Sequence, residues 1–181
     1  MSDAARSSEP ADRGARRRTL LLGLAGIAAT RVAGAQRLVA PRGPTLLTLA
    51  GRIARTNAGG EAHFDQTMLA ALPALSYATR TPWYPQARTF TGVRLRDVLA
   101  AVEAQGQDVR AIALNDYRVE IPASDVNGSD VMVAYLLDDQ PMRVREKGPL
   151  VVIYPFDARR ELRTAVYYSR AAWQLARIEV K

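Results

Sequence analysis

The segment Thr81-Pro82-Trp83-Tyr84-Pro85 is the part of this chain best suited to hold a flat ligand. Its two prolines deny it ladder donors and brace it as a loop, so the Trp83 indole can be held rigid. There it either stacks on a ligand ring or plugs the loop into the core. Arg80 and Thr81, just before it, offer a guanidinium and a hydroxyl to a ring edge; the alternative for Arg80 is a solvated surface ion pair. Other polar candidates fall in short clusters. Asn115-Asp116 reads as turn chemistry, with Tyr117 able to point to a pocket. Arg145, Glu146 and Lys147 precede the Gly148-Pro149 turn, where charged residues are either hydrated or contact a polar ligand. Tyr154-Pro155-Phe156-Asp157 closes an apolar segment with two rings and a carboxylate. Tyr167-Tyr168-Ser169-Arg170 adds phenols, a hydroxyl and a guanidinium. Trp173 reads as core packing.

Other chemistries fail on inventory. The chain has no cysteine, and His63 is its one histidine. A histidine-based metal cluster or paired histidine switch therefore cannot form. Nucleophile elbows, phosphate-binding loops and dinucleotide fingerprints are absent. No carboxylate pair is placed for glycoside hydrolysis.

The elements that must position these residues are mostly strands. Residues 45–53 alternate loosely as a first strand, and Asn57-Ala58-Gly59-Gly60 is a turn. Asp65 caps a helix over 66–71 that Pro73 stops. Residues 76–81 are strand-like. Val93, Leu95, Val98, Leu99 and Val102 fall near helical spacing and predict the longest helix, closed by Gly106. Residues 109–114, then Tyr117, Val119 and Ile121 in alternation, predict two strands. Residues 131–137 make a fuller apolar strand followed by the turn Asp138-Asp139-Gln140-Pro141. Residues 150–154 and 174–180 are further strands, with one helical turn at 158–162. Six to eight strands and two helices place the fold in the α+β class, β-rich.

Residues 1–18 are polar and end in Arg16-Arg17-Arg18; residues 19–30 are apolar; Ala33-Gly34-Ala35 matches a small-residue cleavage site. This pattern predicts a signal peptide over residues 1–35. The apolar run is shorter than the roughly 20 residues that span a bilayer. The arginines before the apolar run fit either the general or the twin-arginine export route. A linker over 36–44 and a single domain over 45–181 complete the organisation. After residue 35 the chain carries 19 Lys+Arg against 15 Asp+Glu, a net +4, and only Lys147 and Lys181 are lysines. No basic block, aromatic platform or zinc spacing points to nucleic acid, and an arginine-rich codon bias explains most of the excess. A cysteine-free exported chain must gain its stability from packing rather than disulfides.

Taken in order, ALNDYRVEIP (113–122), DVMVAYLLDDQPM (130–142), KGPLVVIYP (147–155) and YYSRAAWQLARIEV (167–180) resemble the molybdopterin-binding fold of sulfite oxidase and its relatives. The similarity runs from about Thr45 to the C-terminus. In those enzymes a cysteine thiolate near the position of Ala78-Thr79-Arg80-Thr81 holds molybdenum. Hydroxyls and a guanidinium stand here instead, and a hydroxyl is a poor substitute for a soft thiolate. The compact form with TPW and YYSRAAWQL is most similar to cysteine-less, pterin-binding periplasmic proteins.

That resemblance implies a non-catalytic periplasmic protein that binds a reduced pterin, such as a tetrahydropterin. It further implies a relay of pterin availability to a membrane-bound diguanylate cyclase/phosphodiesterase. A pterin needs an aromatic face and a few hydrogen-bonding groups for its amino-pyrimidinone edge. The implied pocket residues are Trp83, Arg80, Thr81, Ser169, Arg170, Tyr117, Tyr168, Lys147 and Glu146. The alternatives are a molybdopterin-dependent oxidoreductase without the cysteine ligand, or a ligand-free interaction module on the same fold.

Overall fold

Apolar residues at alternate positions become strands of two five-stranded sheets in the computed structural model, which describes residues 38–181. The leader read over residues 1–35 lies outside the described residues. The linker is described from Leu38 onward, and there it is tied to the domain. Leu38 N donates to Thr56 O at 3.1 Å, and the amides of Arg42 and Gly43 donate to Asp65 at 2.7 and 2.9 Å.

The first sheet contains β1 (Leu47–Gly51), β2 (Ala62–Phe64), β5 (Val109–Ala113), β6 (Arg118–Ile121) and β10 (Leu175–Val180), in the order β2-β1-β10-β5-β6. Only the β1–β10 pair is parallel, which brings the C-terminal strand beside the first. The second sheet contains β3 (Ala74–Thr81), β4 (Tyr84–Arg94), β7 (Met132–Leu137), β8 (Gln140–Pro141) and β9 (Val151–Ile153). Its path is β3-β4-β7-β8, with β9 also on β7. Short helices α1 (Gln66–Ala70), α2 (Leu95–Ala101), α3 (Ala123–Gly128) and α4 (Ala165–Arg170) connect these strands. One apolar cluster draws Leu47, Leu49 and Ile178 from the first sheet and Phe90, Met132 and Val152 from the second, all fully buried. Burial of this kind is the main favourable term in folding.

The expected cap on α1 is present. Asp65 Oδ1 accepts from Met68 N at 2.8 Å while Oδ2 holds the two linker amides. These N–H groups, Met68 foremost, hold the Asp65 carboxyl below the ordinary aspartate range.

Three expectations need correction. First, Thr81 to Pro85 is not a loop throughout: Thr81 pairs with Tyr84, so Pro82-Trp83 is a two-residue hairpin turn and Tyr84 and Pro85 begin β4. Pro85 is tolerated because the register shifts between Thr79 and Thr81, so three β4 residues face Arg80 alone. Second, Val93 belongs to β4, paired with Ala74 and Val133, and the helix starts only at Leu95. Ladder bonds on both sides outcompete the helical spacing there. That helix ends at Ala101 with Val102 as its cap, so Gly106 does not close it. Third, Gln140 and Pro141 form the short strand β8, leaving only Asp138-Asp139 as the turn. Residues 167–170, which the sequence pattern assigns to no element, form the last part of helix α4.

Gly92 marks where β4 and β7 come closest. A Cβ there would sit 2.1 Å from Val133 O and 2.5 Å from Ala134 Cα, both backbone atoms that cannot swing aside. Gly92→Ala is therefore expected to lower the unfolding free energy by about 1–3 kcal/mol or more, read as a shift of the urea midpoint against wild type.

Candidate functional site

The β3–β4 hairpin carries Trp83 at its tip and lays the half-buried indole against aromatic residues from the C-terminal third of the chain. Its ring meets Trp173 edge-on, with centroids 4.8 Å apart and planes at 83°. Tyr168, on α4, contacts Trp83 at 6.0 Å and packs on buried Phe156 at 4.8 Å. Tyr84, the first residue of β4, lies 6.0 Å from Trp173 on another side. Edge-on pairs of this kind bring the positive rim of one ring to the negative face of the next. Lys147 Nζ lies 5.4 Å from the centroid of the Trp173 ring, a cation–π contact. Lys147 adopts a left-handed backbone (φ 74°), and its carbonyl accepts from Gln174 N at 2.9 Å.

A polar cleft opens on one flank of this cluster, lined by Arg80, Thr81, Pro82, Asp157, Arg163 and Tyr168. Asp157 organises it. Its Oδ2 accepts from Arg80 N at 2.9 Å, and its Oδ1 accepts from Arg163 Nη2 at 2.8 Å. Thr79 is buried, and its hydroxyl accepts from Asp157 N at 3.1 Å. Thr81 is also buried and accepts from Trp83 N at 3.4 Å, which ties the turn to the strand end. The Arg80 guanidinium is mostly exposed, 3.7 Å from Asp157. Two guanidinium groups against one carboxylate leave this flank cationic.

A second cleft, on the Tyr84 side, includes Tyr84, Arg88, Asp138, Met142 and Glu146 among its lining. Arg88 stacks over Tyr84 at 4.8 Å and pairs with Asp138. Burial pushes the Tyr84 phenol above its ordinary value, against the pull of Arg88, so it is a neutral hydroxyl at neutral pH.

The anticipated residues divide accordingly. Trp83, Arg80, Thr81 and Tyr168 come together, and Lys147 joins them through Trp173. Glu146 is exposed and lines the second cleft, with its carboxylate 3.7 Å from Arg145. Arg170 is committed elsewhere: its Nη1 donates to buried Asp125 at 2.7 Å, and it borders a different cleft with Asp108, Glu120 and Lys181. Ser169 is exposed and donates to Val166 O at 2.7 Å within its own helix. The Tyr117 hydroxyl donates to Ser169 O at 2.7 Å, and Asn115-Asp116 forms the turn before it. Sequence reasoning missed Tyr84, Arg163 and the position of Trp173 in the cluster. The tryptophan's place after YYSRAA was a signal, whereas nothing local distinguishes Arg163 from the other arginines.

Residues 65–157, just over half of the chain, match the family model of the oxidoreductase molybdopterin binding domain. The chain belongs to that family. No curated protein matches it.

The residues of this molybdopterin-binding domain suit the ring of such a cofactor better than its metal. Where the resemblance places a thiolate, the chain offers hard hydroxyls, one buried and already bonded to Asp157 N. Among the described residues, no group of three or more His, Cys, Asp or Glu side chains could hold a metal ion. For a flat heterocycle, the same neighbourhood supplies three aromatic faces and a cationic flank.

Proposed function

We propose that this domain binds a pterin, without a protein thiolate on any metal, and serves as a non-catalytic ligand sensor in the periplasm. The observation that carries the reading is the Trp83–Trp173–Tyr168 cluster beside Ala78–Thr81, the segment from which the thiolate is missing. Ring faces give a pterin its stacking surface. Arg80, Thr81 and Lys147 stand close enough to the cluster to serve its polar edge. A reduced pterin such as a tetrahydropterin is the ligand class of this reading.

Titration of the purified protein with oxidised and tetrahydro pterins, followed by tryptophan fluorescence, tests the binding. Saturable quenching by a pterin supports it, and no response across the panel contradicts it.

In the same reading, the ligand state passes to the periplasmic part of a membrane-bound diguanylate cyclase/phosphodiesterase. Support for a protein contact comes from an exposed apolar group beside the site. Among the described residues, Leu114, Tyr117, Val144 and Val166 are four of the five exposed large apolar side chains. Their segments are linked by hydrogen bonds: Leu114 N to Gln174 O, Gln174 Nε2 to Val144 O, and Tyr117 and Ser169 through to Val166. Such patches mark interaction sites more often than isolated apolar residues do. Deleting the gene is expected to make cellular cyclic-di-GMP insensitive to pterin supply. Levels that still follow pterin supply in the deletion strain would contradict the relay.

A further inference from the structure

Trp173 Nε1 is, among the described residues, the one side-chain nitrogen or oxygen that is buried without a hydrogen-bond partner. An indole N–H is a donor only, so no rearrangement of its own proton can satisfy it. Buried donors left unpaired are costly and uncommon, and a specific one calls for a reason. This one belongs to a ring that contacts both Trp83 and Tyr84.

The two tryptophans of that cluster are held very differently. Trp173 is pinned by its backbone on both sides: Ala172 O accepts from Val152 N at 2.8 Å, and Gln174 N donates to Lys147 O at 2.9 Å. Leu175 N then donates to Leu150 O at 2.9 Å. Trp83 sits on a two-residue turn beside the register shift of the hairpin, with Pro82 exposed and one 3.4 Å bond from its amide to Thr81. Its ring meets the Trp173 ring in the T-shaped contact described above. The pinned indole thus has an unused donor, and the loosely held one packs against its ring.

We propose that Trp173 is a ligand-recognition residue: Nε1 donates to an acceptor on the edge of the bound ring, which enters as Trp83 swings off Trp173. The inference rests on the pterin reading above. It assigns to Trp173 the specificity for a ring with an acceptor, such as a pyrimidinone carbonyl or ring nitrogen, at its rim. Stacking alone would accept any flat ring of similar size, whereas a donor that gains its only partner on binding penalises rings that lack an acceptor.

Trp173→Phe removes the donor and keeps an aromatic face. With 6-methyltetrahydropterin as the probe, it is expected to weaken binding by about tenfold. The chain has two tryptophans, so a 15N-labelled sample gives two indole N–H signals, assigned with Trp83→Phe. On adding the same probe to wild type, the Trp173 signal is expected to move downfield as its proton becomes hydrogen-bonded. Binding of the probe by Trp173→Phe within about twofold of wild type, or an unmoved Trp173 signal at saturation, overturns the assignment while leaving the pterin reading intact. If Trp173→Phe fails to fold, the wild-type signal decides alone. A wild-type protein that binds no pterin overturns both.

Discussion

Trp83→Ala is expected to weaken pterin binding by about 10- to 100-fold, the loss of about 1.5–3 kcal/mol of ring contact. The side chain sits on a hairpin tip, and its contacts in the free protein are edge-on, to Trp173 and Tyr168. Removing it should also cost stability, about 0.5–1.5 kcal/mol for each of the two edge-on pairs in addition to the apolar area it buries. Trp83→Phe should recover most of the affinity. Fluorescence or calorimetric titration of the three proteins checks the order wild type, phenylalanine, alanine. An alanine variant that binds as tightly as wild type would place the ligand elsewhere. A variant that fails to fold would instead make Trp83 a plug of the hairpin into the core.

Asp125→Ala is expected to have the largest effect on stability, about 3–5 kcal/mol. Asp125 lies on α3, 5% exposed. Its Oδ2 accepts from the Tyr154 hydroxyl at 3.0 Å and from Arg170 Nη1 at 2.7 Å. Tyr154 is fully buried, and Arg170 also stacks on Tyr167 at 5.4 Å. Truncating the acid leaves a buried hydroxyl and a half-buried guanidinium unpaired, and the penalty comes from those stranded groups. Against a typical total of about 5–15 kcal/mol, such a loss removes much of the folding margin. Burial and the neighbouring Asp125 carboxylate push the Tyr154 phenol far above its ordinary value, so it remains a donor at any pH the fold survives. Urea denaturation measures the change. Asp125→Leu combined with Arg170→Met should restore part of it, because replacing both ions together leaves no stranded charge. A loss under about 1 kcal/mol for Asp125→Ala would mean that the network does not hold α3 and α4 to the sheet.

This assignment changes the role of Arg170, which stood out in the sequence as a guanidinium beside two tyrosines and a serine. Its partner lies 45 residues earlier, and no local pattern announces such a pairing. Features set by neighbours in sequence were readable. The Asp65 cap needs only the amide three residues on. The apolar run at 109–114 and the alternation at 117–121 also declared their strands directly. Features decided by tertiary contacts were hidden. The α4 sequence AVYYSR is rich in β-branched and aromatic residues, which favour strands. It becomes helical where Tyr167 packs on Tyr154 and Tyr168 on Phe156. Val93 fits the period of the helix that follows it, yet strand partners on both sides claim it. The site was legible in part for the same reason. Arg80, Thr81 and Trp83 are contiguous, whereas Trp173, Asp157 and Arg163 reach the cluster only through the fold.

On the function proposed above, this family member keeps a ring-binding pocket without the metal-holding thiolate. Purification from a molybdenum-replete host tests it most directly. Released pterin is measured by fluorescence after oxidation, and molybdenum by mass spectrometry on the same sample. Pterin in proportion to protein, with molybdenum at the level of a blank, is the predicted result. Molybdenum rising in proportion to protein would contradict it.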